Sequence, residues 1–434
     1  MKTRRIFFLL FLIFTLAQTA LAQTRDPIAV VLTVDGVIMP PMYEYIKRGI
    51  ETADRRNAEV VIIELNTPGG RIDTMLQIVT EIRSSDVPVV VYVAPKNAMA
   101  GSAGAIITMS GHAAAMAPET SIGAASPIDS SGENLNSTAD KKAKEIVKAA
   151  VRPFVSPRGE RALKLAESMI DDAVAVTADE ALEIGLIDFV ADDTEDLLQA
   201  LNGFEVKTAD GAITLNTEDI EVQSVNISFI EQLLLMLTNS NITFLLLAVG
   251  AQALYIELSS PGGWAAGFLG VVCLALAGYG MGVLTVNWFG LIFLITSFVL
   301  FILDIKAPTH GALTVAGVAS FIVGALVLFN SPGTPSFQRV SVPLVVGTGI
   351  IVGLLIFAVL MVVLRVRRNP IQIGSESLAG KTGTALTFKG EAGQVHVAGE
   401  GWSAEKAPES ESISKGDKIE VVEVRGLRLI VKKK

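Results

Sequence analysis

A single cysteine, Cys273, and three histidines, His112, His310 and His396, are spread over 434 residues. One cysteine excludes an intramolecular disulfide framework in any compartment. Three histidines so far apart leave little material for a histidine-rich metal site or a Ser-His-Asp triad, and neither a metal nor a cofactor is expected. His112 opens a small-residue strand and reads as structural rather than as a base. Positive charge is also short: 35 Lys and Arg stand against 44 Asp and Glu, a formal net charge of −9. Phosphate backbones demand a concentrated positive field, so no nucleic-acid partner is expected. What the chain has in quantity is apolar residues, 50% of the total. That proportion, in a chain of this length, puts part of it in a lipid bilayer.

The first half is organised around Met99 to Ile128, MAGSAGAIITMSGHAAAMAPETSIGAASPI, which is nearly all small residues. Such a run lets backbones approach closely, and it carries Ser102 between Gly101 and Ala103, with Gly104 beyond. Val87 to Ala94 (VPVVVYVA) just upstream has the look of a buried strand, so Ser102 is predicted at a strand-to-helix transition, the geometry that a serine nucleophile needs. Small-residue runs also serve plain tight packing, and by itself the stretch is compatible with both.

Taken in order, residues 1–22 combine Lys2, Arg4 and Arg5, an apolar core from Ile6 to Leu16 and Ala20-Leu21-Ala22, the three parts of a secretory signal peptide. Residues 27–210 alternate apolar runs with helical stretches (Ile28 to Val34, Ile50 to Arg56, Val60 to Leu65, Ile72 to Arg83, Val87 to Ala94), which predicts an α/β domain with a largely parallel sheet. Asn66-Thr67-Pro68-Gly69-Gly70 closes the third run. A Pro-Gly-Gly at a strand's carboxyl end presents free backbone N–H groups where an oxyanion can sit. After a polar loop from Asp129, a helix is predicted from about Ala139 to Arg152, ended by Pro153. Projected at 3.6 residues per turn, Lys141 falls with Glu145, Lys148 and Arg152 on a charged face. Lys142 falls with Ile146 and Ala149 at the border of the apolar arc, and is the lysine expected to point inward. A lysine there either snorkels to water or, desolvated beside a serine, becomes a neutral amine able to take its proton. Val206 to Val225 alternates as a hairpin, and 211–240 reads as a linker.

From Asn241 the character changes. Apolar runs at about 242–258, 264–284, 286–303, 309–329 and 341–364 predict a membrane domain of about five spans over 241–366, embedded in a lipid bilayer, with a re-entrant pair as the alternative for the tightly joined second and third runs. An exported first domain followed by five crossings puts the carboxyl terminus in the cytoplasm, in agreement with Arg365, Arg367 and Arg368 after the last run and Lys306 in an inside loop. Gly278, Gly280 and Gly282 suggest close helix contacts. No charged residue falls mid-span, so an ion pathway is not expected. Residues 376–434 form short alternating strands with glycine turns, the pattern of a small all-β OB-type barrel. Phe388 and Trp402 are few aromatics for stacking bases, which favours a protein-interaction module.

With NTPGG, the AMAGSAGAIITMSGHAAAMAPETSIGAASPI stretch and Lys142 in view, the sequence resembles the long form of the NfeD family over essentially its whole length. These are membrane-bound serine proteases partnered with stomatin-like proteins. The resemblance implies an amino-terminal α/β domain like that of the Clp protease subunit, the signal peptide peptidases and the related crotonases. A multi-span segment and an OB-type barrel follow. It implies Ser102 as nucleophile and Lys142 as general base, with the backbone N–H groups of Gly70 and Ala103 as oxyanion hole. Lys141 is adjacent, and a one-residue slip would change the base; the helical projection favours Lys142. The implied substrate is a polypeptide with an apolar segment, the partner a stomatin- or prohibitin-like membrane protein, and the assembly a homo-oligomer. Two other readings compete. One is a non-catalytic scaffold organising membrane partners. The other is an acyl-CoA enzyme of crotonase type, for which Glu119 is the only acid near the motif.

Overall fold

The computed structural model describes residues 27–127, 137–259, 263–306, 309, 311–331, 334, 338–368 and 375–434. The signal peptide expected over 1–22, His310, and residues 128–136 of the polar loop lie outside the described residues. The chain divides into two compact units.

The first unit contains the α/β domain. Its strands are β1 (Ile28–Asp35), β2 (Val60–Asn66), β3 (Val89–Val93), β4 (Met99–Gly101), β5 (Ala113–Met116), β6 (Ser121–Gly123), β7 (Ala175–Thr177), β8 (Phe189–Val190), β9 (Glu205–Lys207), β10 (Ala212–Thr214) and β11 (Glu221–Ser224). Its helices are α1 (Pro40–Arg56), α2 (Ile72–Arg83), α3 (Ala103–Ser110), α4 (Ser137–Val155), α5 (Glu160–Asp171), α6 (Ala178–Ile184) and α7 (Thr194–Leu201). Six parallel strands form the main sheet in the order β11-β1-β2-β3-β5-β8. All five residues of β3 and all four of β5 are buried, as continuous apolar strands covered on both faces must be. One face packs Leu32, Ile46, Ile63, Ile78 and Ile107. The other packs Val60, Ile62, Tyr92 and Leu197. Fully burying each such side chain stabilises the fold by roughly 1.5–3 kcal/mol. A second, three-stranded sheet, β4-β6-β7, is joined to the end of β2 by a bridge between Thr67 and Ala100. This is the expected α/β class with a largely parallel sheet.

Local chemistry fixes the element ends. Pro40 and Pro41 occupy the first helical positions of α1, where no N–H is needed, and Asn57 ends it in the left-handed region at φ 53°. Thr177 and Glu180 make a reciprocal capping box on α6.

Two local expectations are corrected. Pro153 does not end its helix: α4 runs on to Val155 with the proline inside, and a 3-10 turn follows at Ser156–Arg158. Proline removes one N–H and crowds the preceding turn. The buried Val151, Phe154 and Val155 hold that last turn against the core. The hairpin expected over Val206 to Val225 is confined to β9 and β10, whereas β11 leaves it to pair in parallel with β1.

α8 (Phe229–Leu237) follows, capped reciprocally by Ser228 and Glu231. Glu231 also receives a bidentate ion pair from Arg48 of α1, both contacts at 2.7 Å. Then come five apolar helices: α9 (Ser240–Ser259), α10 (Ala265–Val283), α11 (Phe289–Lys306), α12 (Ala312–Phe329) and α13 (Val342–Arg368). Four, α9, α10, α12 and α13, are long and apolar enough to cross a bilayer, and the apolar part of α11, Phe289–Asp304, is shorter. Among the described residues four helices thus meet that length and composition, where five spans were expected. Of the three glycines expected at close helix contacts, only Gly280 meets one, against Thr243 and the Leu237 carbonyl; Gly278 and Gly282 face open space. Near the end of α11, Asp304 is buried and accepts hydrogen bonds from the hydroxyls of Thr309 and Thr314 and from the Thr314 N–H.

In the second unit β12 (Thr382–Lys389), β13 (Ala392–Val397), β14 (Glu400–Lys406), β15 (Lys418–Arg425) and β16 (Arg428–Lys433) close a barrel in the order β12-β13-β14-β16-β15. Val395, Ile419, Leu429 and Val431 fill it, and Phe388 and Trp402 pack against that core. This is the OB-type barrel that the strand pattern predicts.

His112 is part of the sheet's support. Its Nδ1 accepts the Val89 N–H at 2.9 Å, and burial, with Arg83 nearby, pushes its pKa down to about 4. The unfolded chain protonates this histidine near pH 6.5 and the folded chain only near 4, so its contribution to stability is present above about 6.5 and is lost as pH falls towards 4. Melting temperatures of wild type and His112→Asn measured from pH 7 to 4 are expected to converge as the pH falls.

Candidate active site

Two tight turns meet at the carboxyl end of β2. The first is Thr67-Pro68-Gly69-Gly70; the second is Gly101-Ser102, between β4 and α3. Backbone bonds lace them together: the Thr67 N–H donates to the Met99 carbonyl at 2.8 Å, and the Gly101 N–H to the Thr67 carbonyl at 2.9 Å. The fully buried Thr67 hydroxyl both accepts the Gly69 N–H and donates to the Gly69 carbonyl, at 3.0 Å each. The Ser102 N–H donates to Gly123 of the second sheet at 2.8 Å.

Held this way, Ser102 has φ 52° and ψ −113°, a conformation that costs a non-glycine residue on the order of 1–3 kcal/mol. It stands immediately before α3, so its side chain leaves the chain at a sharp corner. Its hydroxyl has no hydrogen-bond partner among the described residues. A Cβ on Gly69, itself at φ 124°, would lie 2.7 Å from the Ser102 Cβ and 3.3 Å from its Oγ. A Cβ on Gly104 would strike the Thr67 methyl group. The glycines are therefore what let one turn lie on the other.

The same packing presents two backbone donors. Ala103 opens α3, where the first N–H groups of a helix have no internal acceptor. Around Gly70 the backbone is engaged on both sides: the Ile38 N–H donates to Gly69 at 2.9 Å, and the Arg71 N–H to Ile38 at 3.0 Å. The N–H groups of Gly70 and Ala103 have no acceptor among the described residues. Both residues line a cavity of about 440 Å³ with Ser102, Ile106 and Val147. That volume is within the ~300–1,000 Å³ typical of ligand sites.

The candidate lysine is placed differently from the projection. Along α4 the inward residues are Val147, Lys148 and Val151, whereas Lys142, Ile146 and Ala149 are exposed, as is Lys141. Lys142 is not on the cavity wall. The apolar arc of α4 turned inward is one step away from the arc read in the sequence. Charge pairs settle the choice: Lys148 bridges Glu145 at 2.6 Å and Asp171 at 3.0 Å, and Lys144 bonds the Asp171 carbonyl at 2.8 Å and pairs with Asp140. His112 bonds the amino end of β3, whereas Ser102 lies beyond the carboxyl end of β2. Glu119 is exposed and does not line the cavity.

Some of the wall carried no sequence signal. Arg71, next to Gly70, holds Asp73 through two bonds of 3.0 and 2.6 Å and donates a third to the Val283 carbonyl at 2.9 Å. The Arg71 guanidinium holds the Asp73 carboxyl below its usual pKa. Thr285 and Gln338, from the apolar half of the sequence, also line the cavity.

Comparison with known proteins agrees with this architecture segment by segment. Residues 28–210 match the NfeD1b N-terminal domain, 241–362 the NfeD integral membrane domain, and 375–433 the NfeD-like C-terminal, partner-binding domain. Membrane-bound protease PH1510 of Pyrococcus horikoshii is 34% identical over 436 residues, spanning 99% of this chain and 98% of that protein. The chain belongs to the NfeD family. A second relative, membrane protein NfeD1b of Bacillus subtilis, is 27% identical over 98% of this chain and 97% of its own length. Among solved structures, the 1510-N membrane-bound stomatin-specific protease, as a lysine-to-alanine variant in complex with a substrate peptide, is 36% identical. It covers 48% of this chain and 96% of its own, with a TM-score of 0.45. The 1510-N membrane protease specific for a stomatin homologue, from Pyrococcus horikoshii, is 35% identical over 50% of this chain and 100% of its own, with a TM-score of 0.43. With its apolar helices and NfeD membrane domain, this NfeD protein is a multi-pass membrane protein.

The turn-on-turn packing makes the glycines of this NfeD protein sensitive positions. Gly69→Ala and Gly104→Ala are each expected to cost about 1–3 kcal/mol through overpacking. They should also slow labelling of Ser102 by a fluorophosphonate probe. Denaturant melts and gel-based labelling of the full chain check both.

Proposed function

We propose that this NfeD-family protein is a membrane-bound serine endopeptidase with a Ser102–Lys142 dyad. The observation that carries the reading is Ser102 itself: a serine at φ 52°, its hydroxyl free, beside a cavity that two unpartnered backbone N–H groups also line. The 34% identity to a membrane-bound protease over nearly the whole chain supports it.

In this reading the neutral Lys142 amine takes the proton from Ser102 Oγ, and the alkoxide attacks the carbonyl carbon of a bound peptide. The N–H groups of Gly70 and Ala103 hold the oxyanion of the tetrahedral intermediate. As the C–N bond breaks, the lysine ammonium returns its proton to the leaving amine. Water then hydrolyses the Ser102 ester with the same amine as base. A lysine serves in this way only when water is kept from it. Lys142 is exposed and off the cavity wall in the single chain, so the dyad requires α4 to bring the amine to Ser102 and the Lys142–Ile146–Ala149 face to be covered, by substrate or by a second copy in a homo-oligomer. The apolar Ile106, Val147 and Met75 beside the cavity favour an apolar peptide segment. A stomatin-like membrane protein is the proposed substrate and partner, and the C-terminal barrel, which matches a partner-binding domain, its docking module. The exposure of Lys142 is also what a non-catalytic scaffold would have, and the same experiment separates the two.

Ser102→Ala and Lys142→Ala in the full chain are each expected to abolish cleavage of an apolar peptide, by several orders of magnitude in kcat. Retained partner binding with no cleavage by wild type would favour the scaffold. Loss in Lys141→Ala but not in Lys142→Ala would move the base by one residue.

The proposed topology has the protease domain outside the cytoplasm and the barrel inside, with α11 as a fifth crossing. The apolar part of α11, Phe289–Asp304, reaches about 24 Å at 1.5 Å per residue against the ~30 Å hydrocarbon core, a shortfall that local thinning of the bilayer takes up. Arg365, Arg367 and Arg368 then lie on the inner side. Green fluorescent protein fused after Lys434 is expected to fluoresce, and alkaline phosphatase fused there to be inactive; the reverse pattern would mean four crossings.

A further inference from the structure

The cavity beside Ser102 is not built by the α/β domain alone. Two wall residues, Thr285 and Gln338, belong to the ends of the apolar helices: Thr285 comes two residues after α10, and Gln338 four residues before α13. They are fixed to each other and to a third helix end. The Thr285 N–H donates to Gln338 Oε1 at 3.4 Å, and the Ser240 hydroxyl, at the start of α9, donates to the Gln338 carbonyl. Arg71 ties this cluster to the site. Its Nη1 donates to the carbonyl of Val283, the last residue of α10, where the negative end of the helix dipole favours a cation. Arg71 is also the residue after Gly70, so the bond that holds the helix end holds the turn presenting the Gly70 N–H.

From this geometry we infer that the peptide-binding cleft is composite, completed by the membrane segment, and that it takes polypeptide lying within a few residues of a bilayer surface. The inference rests on the endopeptidase reading and names where its substrate must be. The Thr285 hydroxyl and the Gln338 Nε2 donors have no protein partner among the described residues, and an extended peptide has backbone carbonyls to offer them. The bilayer boundary is near. α8, which packs on α1, α9 and α10, exposes Phe229, Ile230, Leu233 and Met236 directly ahead of the first apolar helix. An apolar face of that kind lies in a membrane interface.

The test uses the full chain in lipid nanodiscs and adds bulk after folding. Thr285→Cys is purified and then alkylated with a bulky maleimide; wild type, whose only cysteine, Cys273, is buried, is the control. Gln338→Leu removes the donors at similar volume. Each is expected to raise KM for peptide cleavage about tenfold while fluorophosphonate labelling of Ser102 stays within about twofold of wild type. A substrate sequence fused directly to a membrane-spanning helix is expected to be cut in preference to the same sequence held off by a long Gly/Ser linker. Normal labelling with KM unchanged in both variants, or equal cutting of the two substrates, would overturn the composite cleft and leave the peptidase standing. Wild type that neither labels at Ser102 nor cleaves would remove the endopeptidase reading, and this inference with it.

Discussion

The site depends on one close approach: the Gly69 backbone lying against the side chain of Ser102, closer than any other residue at position 69 would permit. Everything else at the carboxyl end of β2 follows from it. The Thr67 hydroxyl pins the turn, the Thr67–Ala100 bridge brings the second sheet alongside, and the Gly123 carbonyl takes the Ser102 N–H. Backbone strain of order 1–3 kcal/mol at Ser102 persists because each neighbouring dihedral is fixed by a separate hydrogen bond. The result is a nucleophile-type hydroxyl that no acceptor among the described residues occupies, next to two N–H groups in the same state. Unpaired backbone donors beside a cavity are costly unless water or a ligand meets them.

The large buried sheet makes that local strain tolerable. β3 and β5 are covered on both faces, and the strands' carboxyl ends are where ligands of parallel sheets bind, because the loops there are free to diverge while the sheet stays fixed. The small side chains of β5 and α3 reduce the distance between layers. The same run of Ala, Gly and Ser thus serves both packing and the exposed serine, and the two readings of it do not exclude each other.

The apolar helices are more than an anchor. Arg71 divides its donors between Asp73, at the start of α2, and the end of α10, so the turn carrying Gly70 is braced from the soluble side and from the membrane side at once. Arg48 and Glu231 brace α8 in the same manner. A guanidinium suits such a position because it stays charged and offers several donors in a fixed plane. Lys142, in contrast, has no ion pair or side-chain hydrogen bond among the described residues, whereas α4 commits Lys144 and Lys148 to Asp140, Glu145 and Asp171.

Length, charge, apolar content and periodicity determined the order of α/β domain, apolar helices and β-barrel, because each is a property of neighbouring residues. Ser102 and the Pro-Gly-Gly turn were legible for the same reason: small residues at a strand end mark a sharp turn wherever they occur. The rotation of α4 was not legible. Periodicity identifies an amphipathic helix but leaves its inward arc uncertain by a residue or so, and ion pairs with Asp171, on another helix, decided it. Nor does local sequence reveal that Pro153 is carried inside a helix by buried neighbours, or that β11 abandons its hairpin for the edge beside β1. Thr285 and Gln338 carry no motif at all. Only the tertiary structure brings them, from more than 180 residues away along the chain, to the cavity of Ser102. Their place depends on how helix ends converge, which is a sum of long-range contacts that no window of sequence contains.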